Sequence, residues 1–361
     1  MVSALPLADS IFPELAFGEL HPVAERLQTR MSLARLTVPR AISMTLLVFG
    51  CVLAPAASAL AHNGTGGASS DYRIEIVGWQ GDHSGVELRV VELGNRLELR
   101  RTTATTVMIL GYSGEPYLRL DANGVAENLN SPAHYLNRDR FASTDPPASA
   151  SPDATPSWTP VSAGSTVRWH DHRAHWMSTT PRADVVADPD VERVIFASNP
   201  VDLVVDGRTV AALIRVTWLP APRRLLWLGT AALLGLAVAA ACVLVPTMKR
   251  LLPSAALLGA IAAFGGQGAS STRHVLAALV IALAIGAVVL RRPLLAAVPA
   301  VGAGILAATR LEAFEHELVA GWPAAATQRI ALVLAIGLCL GVVAAAVVGA
   351  LEPSRAEERA G

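Results

Sequence analysis

The stretch TVRWHDHRAHWMST, residues 166–179, sets His170, His172 and His175 within six positions, flanked by Trp169 and Trp176 and followed by Met177. Imidazole suits copper, zinc, nickel or iron, and three clustered imidazoles reach the ligand count of a catalytic or transport site. On a strand through 165–171, His170 and His172 share a face, because alternate side chains do. His175 lies just beyond and can fold back over the pair. The tryptophans then supply a dry surround, Asp171 orients a histidine ring, and Met177 adds a soft ligand that favours copper. The opposing reading pairs Asp171 with Arg173, buries the tryptophans and leaves the histidines half-exposed at a strand end. This histidine spacing has no standard two-site form, so both readings stand.

The elements that hold this stretch fall into two parts. Residues 62–222 are polar, and most of the apolar excess of the chain, which is 52% hydrophobic, lies after about residue 225. Period-two alternation over 72–79, 85–93, 96–101, 105–112, 165–171, 193–198, 201–205 and 209–220 predicts short strands. Asp206-Gly207 is a hairpin turn signal. Many strands with turn signals and no long helix predict an extracytoplasmic β-sandwich-like domain. The Pro/Ser/Ala-rich segment 142–157 reads as a loop. Five apolar runs follow, about 225–247, 251–269, 273–290, 293–309 and 329–350, each near the ~20 residues that cross a bilayer. The fold class is therefore α+β in two parts, a β-sandwich-like domain and then a transmembrane bundle of about five helices, with 223–350 in the membrane and 351–361 a cytoplasmic tail. Four spans is the nearest alternative count. Lys249-Arg250 and Arg291-Arg292 then fall inside, as the positive-inside rule expects.

Residues 31–61 read as a secretory signal peptide, with Arg35 and Arg40 before an apolar core and Ala59-Leu60-Ala61 as a small-x-small cleavage site. An uncleaved anchor is the alternative, and either version puts the polar domain outside. Residues 1–30 carry Asp9, Glu14, Glu19 and Glu25 and read as an upstream extension, with translation starting at Met31. Cleavage after Ala61 makes His62 the first residue, whose α-amine and imidazole can chelate Cu(II) and accept a further imidazole. This N-terminal histidine, the exported β-rich module and the later His/Asp cluster resemble periplasmic copper-binding proteins of the CopC type, which implies copper. The chain departs from that pattern because Asp171 is followed directly by His172, so the Asp-x-His pair is missing.

Other motifs read as structural. YLNRDR, residues 135–140, suits an ion-pair clasp of Arg138, Asp139 and Arg140, with a ligand-binding arginine as the alternative. GYSGEPYLRL, 111–120, reads as a turn entering a strand. His134 joins the histidines only through tertiary folding. Glu312 and His316 have helical i, i+4 spacing, which suits a solvated amphipathic connector or a cation. Gly337 and Gly341 form a small-xxx-small pattern suited to close helix packing. GYSGEPYLRL, SPAHYLNRDR and WHDHRAHWM before a membrane tail resemble a group of actinobacterial exported multi-pass membrane proteins. That resemblance implies the architecture and no activity.

The three cysteines, Cys51, Cys242 and Cys339, all lie in apolar segments, which leaves the polar domain without thiolate ligands or disulfides. The formal charge is zero, with 29 basic and 29 acidic residues, and no basic stripe points to nucleic acid. No nucleophile–base pair indicates an enzyme, and spans nearly free of ionisable side chains argue against an ion-coupled transporter. The expected function is a membrane-anchored extracytoplasmic metal-binding protein, for copper or zinc, with ligands His170, His172, His175 and His62. The alternative is a non-enzymatic cell-envelope interaction or scaffold protein that meets an envelope protein partner and the lipid bilayer, its His/Trp motif structural.

Overall fold

The computed structural model describes residues 69–351, apart from 268–270 and 322. The expectations for 1–30, for the signal peptide 31–61, for His62 and for nearly all of the tail lie outside the described residues.

Among the described residues ten strands form two antiparallel sheets. The larger runs in the order β1 (Tyr72–Gln80), β10 (Arg208–Trp218), β9 (Arg193–Val205), β4 (Val107–Leu110), β5 (Pro116–Asp121), β6 (Gly124–Asn128) and β7 (Trp158–Ser162). The smaller is β2 (Val86–Val91), β3 (Arg96–Arg101) and β8 (Thr166–Trp169). Inward residues of both, among them Leu97, Leu99, Val167 and Trp169 of the small sheet and Ile109, Leu120, Leu203 and Ile214 of the large one, share one apolar core. The hairpin forms where Asp206-Gly207 predicts it. Val205 pairs with Arg208, and both turn residues take positive φ, +48° and +80°, the backbone that a two-residue turn needs to match strand twist. The runs at 193–198 and 201–205 are one strand, β9, because Asn199 and Pro200 stay within the ladder. Strands β6 and β7 were not expected. Two short helices, α1 (Pro132–Leu136) and α2 (Ala183–Ala187), complete this part.

Five helices follow: α3 (Arg224–Leu244), α4 (Leu252–Gly265), α5 (Ser271–Leu290), α6 (Ala297–Ala308) and α7 (Ala325–Leu351). Among the described residues four segments are long and apolar enough to cross a membrane: Arg224–Leu244, Pro246–Gly265, Thr272–Leu290 and Ala325–Gly349. The fourth expected run, 293–309, is a shorter apolar helical segment, Pro293–Ala308, below that length. The central helix is α7: 78% of its apolar window is buried, against 22–39% for the other three. Gly337 and Gly341 explain how α3 comes so close. A Cβ on Gly337 would stand 2.8 Å from the Ala231 carbonyl, and one on Gly341 2.5 Å from the Val238 Cβ. The outer faces of α3 and α5 carry exposed Leu225, Leu233, Leu283 and Val289, a surface that water does not favour.

The 310–321 connector ties the two parts together, and it is a partly buried 3-10 turn and loop in place of a regular amphipathic α-helix. A 3-10 turn, Leu311–Phe314, buries Phe314 completely, and Glu312 pairs with Arg310 at 2.6 Å. Ser70 and Leu318 exchange two backbone hydrogen bonds of 2.9 Å. The Asp71 carboxylate accepts from the Glu317 N–H at 2.7 Å and from His316 Nδ1 at 2.9 Å, while Arg329 donates to the His316 and Glu317 carbonyls. The hydrogen bond to Asp71 raises the His316 pKa against the opposing effect of burial. A raised value means that this contact is strongest below the ordinary histidine range and is lost as pH climbs through the raised pKa. The protection factor of the Leu318 amide is therefore expected to fall as pH rises above the ordinary histidine range in the native chain and to stay flat in Asp71→Asn. Equal slopes in hydrogen exchange would refute the assignment.

Candidate functional site

The strand carrying the histidine stretch stops at Trp169, two residues earlier than expected. Asp171 ends it: its carboxylate accepts from the Arg173 N–H at 3.0 Å, which opens a 3-10 turn over His172–Ala174. Strand alternation therefore does not set the histidine faces. Asp171 is fully buried and also accepts from Trp169 Nε1 (2.9 Å), Arg173 Nε (2.9 Å) and Arg173 Nη2 (2.8 Å). Burial alone would raise its pKa, but the Arg173 guanidinium outweighs this and holds the group below its usual value. Asp171 orients a tryptophan and an arginine, not a histidine.

The three histidines do come together, as a stack rather than as a converging ligand set. His170 and His175 lie ring over ring, 4.2 Å apart and 13° from parallel, with His172 edge-on to His170 at 5.1 Å. Imidazole lone pairs lie in the ring plane, so two parallel rings send theirs along separate planes that one ion cannot share. His170 Nδ1 donates to the Asn95 carbonyl at 2.8 Å, and His172 Nε2 donates to the Asp139 carbonyl at 3.0 Å. Among the described residues no group of three His, Cys, Asp or Glu is placed to hold a metal ion. Burial lowers the His170 pKa and takes that of His175 down to about 3, which keeps both rings neutral at neutral pH. Their Nε2 atoms are enclosed and have no hydrogen-bond partner among the described residues.

Beside the stack opens a cleft of about 570 Å³. The small sheet contributes Asn95, Arg96, Arg168 and His170, strands β5 and β6 contribute Tyr117 and Glu127, and α1 with its following loop contributes His134 and the residues from Asn137 to Arg140. The loop is set by local chemistry. Ser131 caps α1 by accepting from the Ala133 N–H, and Pro132 opens it. The Asp139 carboxylate accepts from the Phe141 and Ser143 N–H groups and from the Thr144 hydroxyl. These bonds, that of Ser143 foremost, hold the carboxyl well below its usual range. Tyr112 donates to Asn137 Oδ1 and accepts from the His172 N–H, fastening the loop to the histidine turn.

The ion-pair clasp read in YLNRDR is thus absent. Asp139 serves its own loop, and neither Arg138 nor Arg140 has a carboxylate within ion-pair distance among the described residues. Arg138 instead donates to His134 Nε2 at 2.9 Å. A guanidinium can only donate, so Nε2 accepts and the proton sits on His134 Nδ1, 2.7 Å from Glu127 Oε1. On the other wall Arg168 pairs with Glu98 at 2.6 Å and Arg96 with Glu92 at 3.6 Å. Arg96, Glu127 and Arg168 gave no signal in the sequence, because each is an ordinary polar residue on the open side of a strand.

Comparison with protein-family models, with curated proteins and with solved structures returned no match.

Proposed function

We propose that this chain is a membrane-anchored, non-enzymatic binding protein. Its helices sit in a bilayer, its β-domain stands on the extracytoplasmic side, and the arginine cleft captures a negatively charged ligand there. One observation carries the reading: Arg138 and Arg140, exposed on one loop, have no carboxylate within ion-pair distance among the described residues and share a cleft with Arg96 and Arg168, four arginines against Glu127 and Asp139. Guanidinium groups match carboxylate and phosphate oxygens in a fixed fork, and like charges gathered in a concave site attract counter-charged solutes. The orientation is supported by Lys249-Arg250 and Arg291-Arg292, which follow α3 and α5 and so fall on one side, opposite the β-domain.

Titration of the full chain in nanodiscs with citrate and inorganic phosphate, read by tryptophan fluorescence, tests this. Each charge-assisted hydrogen bond is worth about 1.5–3 kcal/mol, so the Arg138→Ala/Arg140→Ala double variant is expected to bind at least about 100-fold more weakly. Equal affinities in variant and native chain, or no binding by the native chain, would end the reading.

A second reading, copper or zinc at His170, His172 and His175 with His62, is favoured by the two enclosed Nε2 atoms. His175 also lines a small crevice with Ser70. The eight peptide steps from His62 to Ser70 reach at most about 29 Å. The stack would have to open for both rings to ligate. Metal analysis of the native chain against a triple His→Ala variant decides it, and equal copper and zinc contents would reject it.

A further inference from the structure

We propose that the cleft recognises a hydroxylated acid, a sugar phosphate or a uronic acid, rather than a bare anion. This rests on the anion-binding reading above and narrows its chemistry. A site for a bare anion has use only for donors, and a carboxylate in it is repulsive. Yet Glu127 lines this cleft, its side chain still partly open to it at 24% exposure. Two amides join it. The exposed Asn95 side chain makes no hydrogen bond among the described residues, and Asn137 lines the cleft with its Oδ1 already accepting from Tyr112 and its amide N–H groups able to donate. Carboxylate and amide groups accept from hydroxyls, and the arginines donate to an acid, so the lining divides between two kinds of ligand group.

A ligand joining an acid to an ammonium fits less well. The carboxylate that would receive the ammonium has His134 against it at 2.7 Å and Arg138 one step beyond, which leaves little negative potential. A hydroxyl needs only the acceptor oxygen. The cleft volume, about 570 Å³, lies in the range that encloses small-molecule ligands, and the nearly buried Tyr117 and Trp169 lie in its lining.

The test is calorimetry on the full chain in nanodiscs with glucose 6-phosphate, glucuronate, a short oligogalacturonate, glucose, glutamate and inorganic phosphate. At least tenfold tighter binding of glucose 6-phosphate or glucuronate than of phosphate, glucose or glutamate is expected. Tighter binding of the oligogalacturonate than of glucuronate would mark a polymer as the source, and the reverse a free sugar acid. Glu127→Gln and, separately, Asn95→Ala are expected to reduce the sugar-acid to phosphate ratio at least fivefold. Asn95 is exposed, so the second variant tests the idea even if the first fails to fold. Phosphate binding as well as the sugar acids would overturn this inference and leave the anion reading standing, as would glutamate binding best. No binding of any acid would overturn both.

Discussion

Replacing Asp171 with alanine is expected to destabilise the β-domain by about 3–5 kcal/mol, the cost of leaving a buried charge without its partner. The carboxylate has no exposure and takes four hydrogen bonds, three of them from Arg173, whose side chain is itself only 16% exposed. Arg173 also donates to the Leu110 carbonyl on β4 and stands over the Tyr112 ring, and the Asn199 amide on β9 donates to its carbonyl. The pair therefore joins the end of the small sheet to the middle of the large one. Without Asp171, a nearly enclosed guanidinium and the Trp169 N–H both lose their acceptor. Adding Arg173→Leu to Asp171→Ala removes the orphaned charge and is expected to recover part of the loss, since the two residues are strongly coupled. Thermal unfolding followed by tryptophan fluorescence distinguishes the cases. If the double variant is no more stable than Asp171→Ala alone, the stranded charge is not what the single substitution exposes.

How much of this was legible in the sequence depends on where each signal lives. Strands β1, β3 and β10 were readable because period-two alternation records burial on one side. Strand β6 was not, because Gly124, Val125, Ala126 and Asn128 are all buried and leave no alternation. Strand β7 escaped for the opposite reason: Thr159 to Ser162 are all exposed, and its Pro160 is a residue that only a sheet edge tolerates. The apolar helices announced themselves by length, except that Pro293 and the 3-10 turn after it shorten the fourth run. At the candidate site, sequence proximity misled. Three histidines within six positions suggested a ligand set, but the side chain of Asp171 turned the backbone and the rings stacked. The arginine cleft was invisible because Arg96, Arg138 and Arg168 are far apart in the chain, and only the β3–β8 pairing and the α1 loop bring them together.

The stack makes its own demand, on acid stability. In the unfolded chain His175 titrates near 6.5, whereas in the fold burial holds its pKa at about 3. Between these values the unfolded state binds a proton that the folded state refuses, so stability falls as pH drops through that window and is fully present above it. One pKa unit is worth about 1.4 kcal/mol, so between pH 7 and pH 4 this single ring is expected to cost about 3 kcal/mol. His170, also lowered by burial, acts in the same direction. In His175→Phe the replacement can keep the stack on His170 but cannot titrate, and in His175→Leu the ring is lost as well. Because His175 Nε2 has no partner, neither change forfeits a hydrogen bond at that atom. Both variants are expected to lose less stability than the native chain from pH 7 to pH 4, while the carboxylates contribute equally in all three. Parallel curves in denaturant titrations at stepped pH would mean that the ring protonates in place. A neutral stack also leaves the charge of the adjoining cleft at physiological pH to its arginines and carboxylates, so anion capture should persist at pH values where histidine alone would have lost its proton.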